Sequence, residues 1–405
     1  MTLRSGLRVV IEPDHRRDLV AVGLTVGSGS RDDPPGTRGL AHLVEHLMLR
    51  RGQGRPGAVE AVGGRCGATT FRDHTSYFSV VGGDQLGPLL TAEAARLVRF
   101  EADQRALDDE LPVIEEEIRE AAFASSGGFP WTMAASALWG PDRHAGGDHG
   151  IMAQLRGLTP ADATAFQRKH YAAGNLVLSI VGAVEPARAE ATVREAFGEL
   201  TRGRRPPWPS LTSRPGAWSM RADEHFRGTA LAIATQLPDA ATDPAGYLAH
   251  GVLAEVLSAA RLPRWRESRS WLRSATIRCG YHGEWLHTAS PDLLVTTFRR
   301  ERNWPVKDVL ADWEALVSLV SSTGPEQGEL RRAVAILRSG QYRQLDSPLG
   351  RAVAHGRFTV LFPDWADPHQ VPGLLATMTA ERVAAAAAAV RAAPTAWVEV
   401  VGDSR

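Results

Sequence analysis

The sequence predicts an α+β fold built as two duplicated domains of roughly 200 residues each. Three observations predict it. Strand-like runs alternate with segments of helical period along the first half. Pro206, Pro207, Pro209 and Pro215 crowd one short stretch, where neither a helix nor a central strand survives. A helix–strand unit also recurs. Leu158-Thr159-Pro160 opens a helix leading to the strand Leu176 to Val181 and Gly182, and Met378-Thr379-Ala380 opens one leading to Trp397 to Val401 and Gly402. Thr159 to Thr379 and Gly182 to Gly402 share an offset of 220 residues, as duplicated units do. The expected boundaries are a first domain over residues 1–202, a Pro-rich linker over 203–217 and a second, homologous domain over 218–405.

The elements follow in order. Leu7 to Glu12 and Leu19 to Val26 are apolar, β-branched runs that read as strands. Gly27 to Gly39 is rich in Gly, Pro and Asp and reads as a loop. Leu40 to Arg50 has helical period, Thr75 to Val81 reads as a strand, and Leu89 to Glu101 and Leu107 to Phe123 read as helices. Ser125 to Pro130 is a loop, and Pro160 to Tyr171 is a helix with Pro at its first turn.

Composition narrows the function classes. Of the 405 residues, 43% are hydrophobic and 23% charged, which is globular rather than disordered. Lys+Arg and Asp+Glu are both 46, so nothing favours a nucleic-acid or membrane-surface partner. Two cysteines, Cys66 and Cys279, are too few for a disulfide framework or a Cys-based metal site. The start of the chain lacks an apolar signal core and no long apolar run follows, so the expectation is a soluble, cytoplasmic protein without a membrane span.

The chemistry-bearing motif is His42-Leu43-Val44-Glu45-His46. Residues i, i+3 and i+4 share a helix face, so both imidazoles can reach one metal ion with Glu45 beside them. Two His at this spacing suit zinc, and the order H-x-x-E-H is the inverzincin signature. A third ligand is needed. The segment from Asp109 to Glu120 is rich in carboxylates, and Glu115, Glu116 and Glu120 read as a solvated face. Glu110 and Glu117, seven apart, share a face. One of them can close a His2Glu site while the other orients a ligand. His144 and His149 flank a Gly-rich turn and read as loop residues.

With these motifs the sequence resembles the pitrilysin family of zinc metallopeptidases, which includes insulysin and the mitochondrial processing peptidase. A strand, a Gly-Ser-Arg loop, a G-x-A-H-x-x-E-H helix and a distant E-x6-E match Val22 to Met48 and Glu110 to Glu117. The resemblance implies that His42, His46 and Glu117 hold one zinc ion per chain, that Glu45 is the general base, and that Glu110 is an accessory acid. It also implies that the first domain is catalytic, the second inactive, and the pair one half of a clamshell. The 71-residue gap from His46 to Glu117 is shorter than is usual in the family.

A second family segment covers Gly63 to Tyr77, where Ala68, Thr70, Thr75 and Tyr77 agree and Gly67 replaces an asparagine. In the family this is an edge strand that pairs with an extended peptide, which makes Gly67, Ala68 and Thr70 substrate-binding residues. Tyr171, Asn175 and Gly182 match a further family pattern. The second half keeps the family arginine as Arg266, also a substrate-binding expectation, but Arg273 stands where a tyrosine belongs, which leaves Arg273 itself or Tyr281 as the substitute. The resemblance therefore implies the catalytic subunit of a heterodimer, whose homologous partner supplies an Arg/Tyr pair, or else a homodimer. The expected activity is endopeptidase cleavage of extended peptides, with trimming of leader or precursor peptides as one use. The rival reading is a non-catalytic scaffold or peptide-binding subunit of the same fold.

Overall fold

The structure is a computed structural model that describes residues 1–50, 56–124, 128–141, 147–216, 218–301 and 304–403. In chain order, the first part gives β1 (Arg8–Pro13), β2 (Leu19–Val26), α1 (Leu40–Leu49), α2 (Pro56–Ala61), β3 (Arg65–Thr70), β4 (Thr75–Gly82), α3 (Leu86–Val98), α4 (Gln104–Ala124), α5 (Trp131–Trp139), α6 (Met152–Leu155), α7 (Pro160–His170), β5 (Leu176–Gly182) and α8 (Pro186–Phe197). The second gives β6 (Trp218–Arg227), β7 (Thr229–Gln236), α9 (Pro244–Val256), α10 (Leu262–Glu267), β8 (Leu272–Cys279), β9 (Leu293–Arg300), α11 (Val306–Thr323), α12 (Gln327–Leu345), α13 (Pro348–Leu361), α14 (Val371–Ala376), α15 (Ala380–Ala392) and β10 (Thr395–Asp403).

Two five-stranded sheets have matching topology, β1-β5-β2-β4-β3 and β6-β10-β7-β9-β8. In each, only the first pair is parallel (β1 with β5, β6 with β10). The offset of 220 residues thus joins equivalent elements, α7–β5 and α15–β10. The chain divides into two compact units, each discontinuous in sequence. One comprises Met1–Arg119, Gly146–Pro209 and Arg343–Pro368, and the other Glu120–Ala145, Ser210–Tyr342 and His369–Arg405. The division departs from contiguous halves because two helices pack on the sheet of the other half. Helix α13, which follows the long α12, covers β2 and β5, and α5, which follows the long α4, covers β10 and β7.

The residue pattern explains this packing. Strand β5 is buried along its whole length and β2 along all but its first residue, so both read as continuous apolar runs rather than alternating ones. One face carries the core formed by Val22, Leu24, Leu178 and Ile180 with Leu43 and Leu47 of α1, Phe166 of α7 and Phe197 of α8. On the other face α13 lies close to the backbone. A Cβ on Gly23 would stand 3.1 Å from the Ala352 carbonyl oxygen, and one on Gly356 would stand 2.1 Å from Thr25 Oγ1. In the second unit Ala134, Ala135 and Leu138 of α5 pack with Ala230, Ala232, Val295 and Val398.

The Pro-rich stretch has no helix or strand over residues 201–214. Its first part is pinned to the first unit: Arg31 Nε donates to the Pro209 carbonyl at 2.9 Å, and the Arg205 guanidinium lies 3.5 Å over the Trp208 ring. No single helix among the described residues is long and apolar enough to cross a membrane.

The close approach of α13 is testable. Gly356→Ala forces the buried Thr25 side chain to shift and is expected to destabilise the protein by about 1–3 kcal/mol in denaturant titration. Gly373→Ala, in α14 with open space around it, is expected to be neutral or to stabilise by about 0.4–1 kcal/mol. Equal effects at the two positions would contradict the packing argument.

Candidate metal centre

The loop before α1 fixes where that helix begins. Gly39 has φ of 100°, and a Cβ there would lie 2.9 Å from the His149 carbonyl oxygen, so both conformation and space require glycine. Asp33, fully buried, accepts from Gly39 N and Ala41 N at 2.8 Å each, which satisfies two of the helix's free N–H groups. Burial lifts its carboxyl to about 6, against the charge of Arg38, 3.4 Å away. Beside it Arg31 Nη1 and Arg72 Nε both donate to Asp73, at 3.0 and 2.9 Å. Ser30 N and Arg31 N donate to the carbonyls of Phe71 and Arg72. This buried network ties the α1 loop to the β3–β4 turn.

On α1, apolar Leu43 and Leu47 face the core, while His42, Glu45 and His46 face α4 and β3. His42 Nε2 and His46 Nε2 lie 3.2 Å apart. Glu117 Oε2 approaches them to 3.2 and 3.4 Å. Ligands held tetrahedrally at about 2.0–2.1 Å from one ion stand roughly 3.3 Å from each other, so this triangle has the right size for zinc. Glu110 Oε2, two turns earlier on α4, sits 3.1 Å from His46 Nδ1, where it orients the ring and fixes its tautomer. Glu117 meets both Nε2 atoms, and Glu110 meets the far nitrogen of one ring.

Charge fits a cation as well. The hydrogen bond with His42 leads in holding the Glu117 carboxyl down to about 2, with the charges of His46, His42 and His149 in the same direction and burial opposing them. At His46 burial pushes the imidazolium down, but Glu110, Glu117 and Glu45 together outweigh it and raise the pKa. His42 Nδ1 is buried without a hydrogen-bond partner among the described residues. Glu45, 6% exposed, accepts a hydrogen bond from Thr70 Oγ1 at 2.6 Å.

The other expected residues fall in two places. Gly67, Ala68 and Thr70 lie on β3, an outermost strand that pairs with β4 alone. Gly67 sits under the ring of its cross-strand neighbour Phe78, where a Cβ would be 2.7 Å from the ring tip. Thr70 directs its hydroxyl to Glu45. Arg266 is an exposed residue of α10 in the second unit. Arg273 is likewise exposed and paired with Glu301 at 2.8 Å, whereas Tyr281 is buried in the core of that unit. Of the two candidates for the tyrosine's place, only Arg273 offers its side chain to solvent.

One residue read simply as a loop histidine lies at the centre itself. The His149 ring stands edge-on to His42 at 5.2 Å between centroids. Nothing local in the sequence signals this, because the contact depends on the loop before α6 crossing the start of α1.

Residues 8–125 match the family described as insulinase, peptidase family M16, and residues 157–283 match the M16 inactive domain; together the matches span more than half of the chain. An uncharacterized zinc protease of Mycobacterium tuberculosis is 34% identical over 223 residues, which is 51% of this chain and 49% of the relative. A probable mitochondrial-processing peptidase subunit beta of Arabidopsis thaliana is 24% identical over 214 residues, 49% of this chain and 38% of that protein. The chain spans about half the length of the curated relatives it matches. The crystal structure of a protease from Helicobacter pylori superposes with a TM-score of 0.81 at 16% identity, covering 99% of this chain and 98% of that one, a likeness of fold. Two matched domains, the shared architecture and the H-x-x-E-H helix place this chain in the insulinase, or M16, family of peptidases.

Proposed function

We propose that the chain is a zinc metalloendopeptidase acting on extended peptides, and that it is the catalytic subunit of a heterodimer. The observation that carries this reading is the convergence of His42, His46 and Glu117 within 3.2–3.4 Å, with Glu45 on the same helix beside them. Those three residues would hold the zinc, and Glu110 would orient His46. When bound, zinc supplies a Lewis acid that makes water acidic enough to lose a proton near neutral pH. Glu45 takes the proton from the attacking water and passes it to the leaving amine. The outer side of β3 offers backbone donors and acceptors to an extended peptide, which would add as a further strand over Gly67 and Ala68. Trimming of leader or precursor peptides is one use that suits such a site.

The rival reading, a scaffold or peptide-binding subunit, draws on the inactive-domain match. It gives no reason for a chain to keep both histidines, Glu45, Glu110 and Glu117 in register, so the peptidase reading is preferred.

Three outcomes test it. The purified chain should carry about one zinc, removable by chelator, and His42→Ala or His46→Ala should abolish it, as metal analysis can show. Full zinc occupancy in the double variant would sink the ligand assignment. Glu45→Gln should keep zinc but lose about two to four orders of magnitude in turnover, the usual worth of a general base. Undiminished cleavage by this variant would put the base elsewhere.

The partner is tested by reconstitution. The chain alone should cleave peptides weakly or not at all, because Arg273 stands where the family places a tyrosine. Addition of a homologous subunit with an intact Arg/Tyr pair should restore turnover, and removal of that tyrosine should lower kcat more than it raises KM. Sedimentation with a peptide-cleavage assay checks both. Full activity as a homodimer would overturn the heterodimer and leave the zinc reading standing.

A further inference from the structure

We propose that Thr70 is a positioning residue for Glu45: its hydroxyl fixes one carboxylate oxygen so that the other alone is turned toward the attacking water. The proposal rests on Glu45 being the base. Thr70 Oγ1 donates to Glu45 Oε2 at 2.6 Å, a short bond to a carboxylate. Both residues are buried, Thr70 at 8% and Glu45 at 6% exposure. Among the described residues this is the one hydrogen bond the Glu45 side chain makes. A buried carboxylate with a single protein donor is oriented by that donor.

The donor itself is well held. Thr70 is the last residue of β3 and pairs with Thr75 of β4. Strand alternation turns Thr69 outward and Thr70 inward. A β-branched side chain in a strand has little freedom at χ1, so the hydroxyl stays where the backbone places it. The β3–β4 turn is in turn anchored by Asp73 to Arg31 and Arg72. The strand offered to substrate thus also sets the angle of the base.

The experiment uses the zinc-loaded chain with whatever partner its activity requires. Thr70→Val keeps shape and removes the donor. Thr70→Ser keeps the donor and checks that loss of fold is not the cause. Thr70→Val is expected to lower kcat about 10- to 100-fold, as loss of an orienting partner does, with KM and zinc content unchanged. Thr70→Ser should recover most of that loss. In a Glu45→Gln background the same change should do nothing more, because Thr70 acts through Glu45. A crystal structure of Thr70→Val should show the Glu45 carboxylate displaced, a readout independent of turnover. A changed KM with unchanged kcat, a full effect persisting beside Glu45→Gln, or an unmoved Glu45 carboxylate would each overturn the proposal. Undiminished cleavage by Glu45→Gln alone, with the carboxylate displaced in Thr70→Val, would instead count against Glu45 as base.

Discussion

Two imidazole nitrogens, His42 Nε2 and His46 Nε2, face each other at 3.2 Å, and a carboxylate oxygen completes the triangle. Three lone pairs cannot converge so closely with nothing positive among them. Either a proton is shared or a cation takes its place, and the surrounding charges favour a cation. Glu45, Glu110 and Glu117 bring three carboxylates to the two rings, and among the described residues none of the three forms an ion pair with arginine or lysine. Elsewhere in the same unit the buried acids have been matched internally, Asp73 with Arg31 and Arg72, and Glu93 with Arg96. The fold cannot relax this convergence. Asp33 and Gly39 fix the start of α1, and the apolar face of that helix is locked into the sheet core.

The H-x-x-E-H helix was readable because helical spacing alone places three side chains on one face, and no tertiary information is needed for that. Glu110 and Glu117 were readable as a pair for the same reason. Which of them meets both rings was implied by the resemblance and not by the spacing, because the choice depends on how α4 crosses α1, a relation set by side-chain packing far apart in sequence. The edge strand β3 came from resemblance. Its alternation is weak, with Gly67 and Ala68 in the middle, and the Phe78 ring that fills the space over Gly67 lies on a neighbouring strand. Thr70 shows the limit most clearly. Its place on an edge strand suggested contact with substrate, yet strand pleating turns the hydroxyl inward to Glu45. His149 carried no signal at all.

The exchange of α5 and α13 was equally hidden. Each follows a long helix, and nothing in its own residues says which sheet it will cover. The signal lies in the partner surface. Gly23 on β2 and Gly356 on α13 each leave room where a side chain would collide, and two such absences separated by more than 300 residues have meaning only once the helix is laid on the sheet.

The second unit bears on how far the metal residues and the fold depend on each other. Helix α9 follows β7 as α1 follows β2, and Leu248-Ala249-His250 repeats Leu40-Ala41-His42. Where Glu45 and His46 follow His42 by three and four residues, Leu253 and Ala254 follow His250, and both are buried apolar residues. His250 Nδ1 donates to the Gly246 carbonyl at 2.7 Å, and burial lowers its pKa. The same sheet and helix therefore persist with this face filled by hydrocarbon. Burying a glutamate and a histidine costs free energy that apolar side chains do not incur. A copy without a cation has no compensation for that cost, and its helix reads as core. The first copy retains the costly set, and buried arginine and aspartate brace the loop that leads into its α1. In this architecture the fold is supplied by the sheet and its apolar helix faces, and the charged face of α1 is an addition whose cost of burial the fold itself does not offset.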